Sequence, residues 1–352
     1  MNPRPPGPAR LLGGALAVLL GSGAASGVLG QRVAGEERPP LVRRAHYVMG
    51  TLFEIKAYGA DREATAAALE QAFAAIRHVD EVMSHYRPES DLMRLNRQRA
   101  LDAVPVPADL YAVLREAIRY GELSGGALDV TVRPLILLWE EAGERGRLPD
   151  EQELAERRSR VGFRHLELLE GSRVRLARAG VEVELGAIGK GWAVDRAVEI
   201  LRAHGIENAF LSAGTSTVFG LGGGPAGDGW VVEVLDPCDP ARTLGTVRLR
   251  DASLSTSASY ERYWEIEGRR YGHIIDPRTG WSVEPLAGVT VVAPTATESD
   301  ALATAVYVLG REEGAALLAR LERRGLLVER TPEGVCLAQE AGRSQGRLLS
   351  SP

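Results

Sequence analysis

The chain has 352 residues, with 42 Lys and Arg against 47 Asp and Glu, for a formal net charge of −5. That length allows one large domain or two packed lobes. The well-mixed charge leaves no basic footprint for nucleic acid, and aromatic residues, at 5% of the chain, are too sparse for a base-stacking platform.

The chain opens like an export signal. Arg4 and Arg10 form a positive flank, Leu11 to Leu20 is apolar, and Ala24-Ala25-Ser26 suits a signal peptidase. Residues 1–30 are therefore read as a signal peptide or an N-terminal membrane anchor. No cysteine follows the apolar run, so it is not read as a lipoprotein signal. Either form places the body in the periplasm or on the outer face of the cytoplasmic membrane. Residues 31–41 form a polar, proline-terminated linker, and the main domain is expected over 42–335.

Within that domain, Met49 to Tyr58 alternates as a strand. Asp61 to Met83 repeats Leu69, Phe73, Ile76 and Val79 at helical spacing. Pro107 starts a helix whose stripe is Leu110, Val113, Leu114 and Ile118, and Asp150 to Arg160 is a second amphipathic segment. From Val161 short strands dominate: Val181–Leu185, Ala209–Leu211, Trp230–Leu235, Thr246–Leu249, Tyr263–Ile266, Tyr271–Ile275 and Val289–Val292. Glu267-Gly268 is the expected hairpin turn. Helices are expected over Gly191–His204 and from Thr297 to Leu309, the latter closed by Gly310. Residues 336–352 are read as a tail, disordered at its end. The class is α+β, with a helix-rich first lobe and a strand-rich second. Cys238 and Cys336 are the two cysteines. Without CxxC spacing they are read as small buried hydrophobes rather than a zinc site or disulfide framework, although an oxidising compartment would allow them to pair.

Three constellations carry chemistry. Glu184-Leu185-Gly186-Ala187-Ile188-Gly189-Lys190-Gly191 runs from a strand through glycines into a helix start. Bare amides, the helix N-terminus and Lys190 make an anion site suited to a diphosphate. It is not a Walker A loop. Asp300 and Thr304 lie one helical turn apart, a hard and incomplete oxygen set suited to magnesium. His273 ends an apolar strand just before the turn Asp276-Pro277-Arg278-Thr279-Gly280, where a base can reach a ligand. A base beside a hard cation is equipment for phosphate-ester chemistry.

In order, Met49-Gly50-Thr51, Met83-Ser84-His85-Tyr86 with Leu95-Asn96, Gly126-Ala127-Leu128-Asp129-Val130-Thr131, Glu184 to Gly191, Ser255-Thr256-Ser257, His273 to Gly280 and Asp300-Ala301-Leu302-Ala303-Thr304 resemble the ApbE family, the FAD:protein FMN transferases. The resemblance implies a two-lobed, T-fold-like architecture with mixed or antiparallel sheets flanked by helices and a ligand crevice between lobes. It implies that Met49, Tyr86, Ala127, Leu128, Asp129, Glu184, Lys190 and Ile274 contact FAD. Ala187 (through its carbonyl), Asp300 and Thr304 would hold Mg²⁺, and His273 would be catalytic. The partner would be an exported acceptor protein that receives FMN on Ser or Thr, with release of AMP. Glu184 stands where the family usually has Asp. The same residues would also serve a Mg-dependent FAD pyrophosphatase; a non-catalytic FAD-binding protein is the other alternative, kept open by the altered Ser212 to Ser216 segment and opposed by His273, Asp300 and Thr304, since flavin storage needs neither a base nor a cation.

Overall fold

Strand alternation begins the fold in the computed structural model, which describes residues 39–98, 102–258, 263–284, 286–331, 334–342 and 347–350. In β1 (Leu41–Val48) and β2 (Thr51–Tyr58), Val42, Val48, Phe53, Ile55 and Ala57 are buried on one face. The strands are joined at Met49-Gly50, both at positive φ (52° and 72°), the backbone of a tight primed turn. Helix α1 (Arg62–Met83) is capped by the Asp61 side chain and buries Leu69, Phe73, Ile76 and Val79. Each of these side chains is worth roughly 1.5–3 kcal/mol of burial. Helix α2 (Asp91–Asn96), β3 (Val104–Pro105), α3 (Ala108–Leu123), α4 (Arg133–Arg145) and α5 (Glu151–Arg158) follow, the last with an Asp150/Glu153 capping box. Strand β5 (Arg173–Leu176) pairs with both β3 and β4 (Leu166–Leu169) in a small sheet.

Helix α6 (Gly189–Ala203) leads to β6 (Asn208–Ala213), β7 (Thr217–Leu221), β8 (Trp230–Asp236), β9 (Asp239–Leu249) and β10 (Ala252–Ser257). The hairpin β11 (Tyr263–Ile266) and β12 (Arg269–Gly272) turns at Glu267-Gly268, both at positive φ, as expected. Strand β13 (Gly288–Ala293), α7 (Ala296–Arg320), β14 (Arg324–Arg330) and β15 (Cys336–Gly342) complete the described chain. The central sheet has the order β1-β2-β6-β7-β10-β13-β14-β15, with every named pair antiparallel. Helices α1, α6 and α7 pack together along one of its faces. The β8–β9 hairpin covers the other face through Trp230, Val232, Val247 and Leu249. Helix α4 packs Leu135 and Trp139 against Ile266 and Ile275 of the β11–β12 region. Among the described residues no helix is long and apolar enough to cross a membrane.

The α+β class stands, but several expectations change. Strands β1 and β2 of the helix-rich first half join the C-terminal strands in the central sheet, and α1 packs against them. Val181–Leu185 is extended but forms only the isolated bridge Val132–Glu182, since Asn96 occupies the Val183 amide and carbonyl (2.8 Å each). Helix α7 passes Gly310, where φ 76° and ψ −169° kink it, and resumes to Arg320. Cys238 and Cys336 form a disulfide across a separation of 98 residues. The chain from residue 336 first forms edge strand β15. Leu348 is then buried and Ser350 pairs with Thr246, so the expected disordered end is partly tied down. The expected signal at 1–30 lies outside the described residues.

Candidate active site

Antiparallel order sends several loops out of one end of the sheet: the Met49-Gly50 turn, the 214–216 turn and the excursion from Ser257 to Gly288. The turns are laced together, Gly214 N–H donating to Leu52 O (2.9 Å) and Thr256 N–H to Ser216 O (2.8 Å). His273 lies within the excursion, directly after β12, and Thr304 faces its root through Ser257 (3.3 Å).

The glycine turn leads into α6. A Cβ at Gly189 would lie 3.8 Å from Met49 Cε, so Met49 borders the start of α6. At Gly191 a Cβ would lie 2.6 Å from the Ala296 carbonyl carbon and 2.8 Å from Thr297 Cα. Only glycine lets the first turns of α6 and α7 meet there. Asp195 secures the contact by accepting from the Ala296 amide (2.8 Å), the Thr297 amide (2.8 Å) and the Thr297 hydroxyl (2.5 Å). The Gly191 amide donates to Asp300 Oδ2 (2.9 Å). In a helix that amide would pair with the carbonyl four residues back, Ala187, which accepts no hydrogen bond among the described residues. An open carbonyl, a buried carboxylate and the Thr304 hydroxyl are thus carried by two helix starts locked together. Burial raises the Asp300 carboxyl above the ordinary carboxylate range, opposed by Lys190, the Gly191 amide and Thr217. A bound cation would reverse that preference.

The remaining expected residues divide. Glu184 accepts from the Gly186 amide (2.8 Å) and pairs with His85 Nδ1 (3.2 Å). Burial, the largest influence, pushes its carboxyl up; the His85 hydrogen bond and charge, the Gly186 amide and Arg133 outweigh it, and the net shift is down. Tyr86 is 73% exposed and packs on the His85 ring (3.8 Å between centroids), leaving an aromatic face open beside Glu184. Ala127 and Leu128 are buried, so only their backbone can meet a ligand. Asp129 turns inward: Oδ1 accepts from the Thr131 amide (2.8 Å) and hydroxyl (2.6 Å), and Oδ2 from the Phe163 amide (2.6 Å). Burial raises its carboxyl against those bonds. The Ile274 carbonyl accepts from Val283 N–H (3.0 Å), and the Asp276 turn is clamped by Arg278 (2.9 Å). A Cβ at Gly126 would lie 3.8 Å from Arg278 Cγ, so the 127–129 loop borders the His273 turn.

Four contributors were not read as site residues: His85, Asp195, Thr217 and Ser299. The alternating Ser253, Ser255 and Ser257, which share one strand face, were the available signal for a polar wall next to Asp300.

The ApbE family model matches residues 49–327. The FAD:protein FMN transferase of Treponema pallidum (strain Nichols) is 37% identical over 302 residues, 81% of this chain and 83% of that protein. The Escherichia coli (strain K12) FAD:protein FMN transferase is 31% identical over 287 residues, 80% and 81% of the two chains. Among solved structures, the flavin transferase ApbE from Vibrio cholerae aligns with a TM-score of 0.74 at 30% identity, over 87% of this chain and 97% of that one. The apo Pseudomonas stutzeri flavinyl transferase ApbE aligns with a TM-score of 0.76 at 27% identity, over 88% and 96%. With sequence and fold matched from the Met49 turn into β14, the chain belongs to the ApbE family.

Proposed function

We propose that this chain is an FAD:protein FMN transferase, moving the FMN moiety of FAD to a Ser or Thr hydroxyl of an exported acceptor protein with release of AMP. The observation that carries this reading is the junction of α6 and α7. There a glycine-opened helix start with Lys190 meets a buried carboxylate, a hydroxyl and an open carbonyl. The oxygens of Ala187, Asp300 and Thr304 are the hard donor types that magnesium takes, and three protein oxygens leave room for water and phosphate. Bound magnesium would supply positive charge to the diphosphate and polarise the phosphorus.

The chain's own residues do the rest. Lys190 and the amides of the glycine turn hold the diphosphate at the α6 N-terminus. Tyr86, Met49 and the backbone of 127–128 border the flavin and nucleotide. His273 accepts the proton of the acceptor hydroxyl as its oxygen bonds to the FMN phosphorus, and the bond from that phosphorus to the AMP phosphate oxygen breaks. Positioning and charge supply most of the acceleration. The Cys238–Cys336 disulfide supports an exported, periplasmic or membrane-outer-face location, since such bonds persist in oxidising compartments.

The test is incubation with FAD, Mg²⁺ and a threonine-bearing acceptor, read as covalent flavin fluorescence against free FMN. His273→Ala should lower transfer by about 10²–10⁴-fold while FAD still binds. Transfer at the wild-type rate would overturn its role as base. Free FMN and AMP with an unmodified acceptor would make the chain a pyrophosphatase, and no turnover with FAD bound would make it a binding protein.

A further inference from the structure

A chain of hydroxyls leads through the core to Asp300. Thr217, Ser253, Ser255 and Ser299 are all at most 1% exposed. Thr217 Oγ1 lies 3.3 Å from Asp300 Oδ1, Ser255 Oγ 3.2 Å from Thr217 Oγ1, and Ser299 Oγ 2.7 Å from Ser255 Oγ. Ser299 also approaches Ser253 (2.9 Å) and the Ala296 carbonyl (3.1 Å), and Ser253 donates to the Val218 carbonyl (2.7 Å). The chain bridges β7, β10 and the first turns of α7 behind the carboxylate.

Each hydroxyl owns one proton, and an ionised carboxylate only accepts. The direction follows: Thr217 donates to Asp300 and Ser255 donates to Thr217, so Ser299 can bond Ser255 only as donor, with its one proton then drawn away from the Ala296 carbonyl. Hydroxyls aligned this way polarise one another and strengthen the terminal bond. Asp300 is therefore held from two sides, by Thr217 at Oδ1 and the Gly191 amide at Oδ2. A buried carboxylate gripped at both oxygens has one orientation. We infer that Thr217, Ser255 and Ser299 are positioning residues that fix the Asp300 carboxylate for a divalent cation. They act through Asp300 and touch neither the cation nor FAD.

This rests on the reading of Asp300 as a cation ligand, and the experiment separates the two. Mn²⁺ binding to the full chain, without FAD or acceptor, is measured by the loss of the free-ion EPR signal, with thermal unfolding recorded alongside. Thr217→Val keeps the shape and removes the donor; it should weaken Mn²⁺ binding by about 10–100-fold. Thr217→Ser should restore binding to within a few-fold of wild type, which a purely structural role would not require. Ser255→Ala should weaken binding by a smaller factor, because Thr217 keeps its bond to Asp300 but loses its donor. Asp300→Ala should abolish the site. Wild-type Mn²⁺ affinity in both Thr217→Val and Ser255→Ala, with Asp300→Ala still defective, would overturn the positioning role and leave the cation site standing. Wild-type affinity in Asp300→Ala would overturn both.

Discussion

Gly191→Ala is the sharpest perturbation of the α6–α7 junction, because one methyl group must enter a space bounded by backbone. The added Cβ would lie 2.6 Å from the Ala296 carbonyl carbon and 2.8 Å from Thr297 Cα, and closer still to the Ala296 oxygen. Restoring ordinary contact near 3.5 Å demands a separation of roughly 1 Å between the helix starts. The Gly191 N–H to Asp300 Oδ2 bond, 2.9 Å, would then stretch beyond bonding distance. Overpacking costs about 1–3 kcal/mol, and a lost hydrogen bond to a charged group about 1.5–3 kcal/mol. The expected loss is about 2.5–6 kcal/mol, or about 4–9 °C in Tm at the unfolding entropy of a chain this size. Gly189→Ala is the control in the same turn: its Cβ meets only ordinary contacts at 3.7 and 3.8 Å. It should be neutral or stabilising by up to about 1 kcal/mol. Differential scanning calorimetry of the two variants, with Mn²⁺ affinity measured alongside, checks the difference. A Gly191→Ala protein as stable as Gly189→Ala, with Mn²⁺ affinity intact, would refute the close-packed junction.

Removing the disulfide frees a 98-residue separation. By chain entropy this costs about 4.7 kcal/mol, or about 7 °C in Tm, so Cys238→Ser/Cys336→Ser should melt at least several degrees lower and reductant should act on the wild type alone. Glu184 has a carboxyl depressed below its ordinary 4.5, so its contribution is present above that pH and is lost as pH falls through the lower folded value. His85→Ala removes the partner that holds it down; burial then lifts the folded carboxyl above 4.5 and the sign inverts, so the variant should lose stability as pH rises through the raised value, where wild type loses it as pH falls, as melting curves between pH 3 and 7 would reveal. Asp195→Ala leaves the Ala296 and Thr297 donors of the α7 start without their acceptor, a loss of about 3 kcal/mol or more, and chemical denaturation should register it.

Local signals were legible where they were dense. The four-residue stripe of α1, the Asp150 cap of α5, the Glu267-Gly268 turn and the helix after Lys190 all declare themselves within a short window. Strands β10, β14 and β15 and helix α4 did not. Their pairing depends on partners far along the chain, as with Ser257↔Val289 and Arg330↔Cys336. Val181–Leu185 has the composition of a strand, but its hydrogen bonds are claimed by Asn96 and, at Glu184, by the Val130 carbonyl. Gly310 carries a stop signal, yet the packing of Leu317 and Leu318 into the core extends α7 beyond it. That Asp300 and Thr304 share one helical turn was readable from their four-residue spacing. Thr217, 83 residues from Asp300, was not, because only the sheet brings the two together. The bonds that Asp129 accepts from Thr131 and, across the fold, from the Phe163 amide were not announced by its residue type.

The central claim is that His273 and the Ala187, Asp300 and Thr304 oxygens serve one pyrophosphoryl linkage. Intact-mass spectrometry of a threonine-bearing acceptor, after incubation with this protein, FAD and Mg²⁺, tests it most directly. The account predicts acceptor heavier by one phosphoester-linked FMN, one AMP released per modification, and neither product with His273→Ala or Asp300→Ala. Acceptor of unchanged mass beside accumulating FMN and AMP, or a full mass shift with either variant, would contradict it.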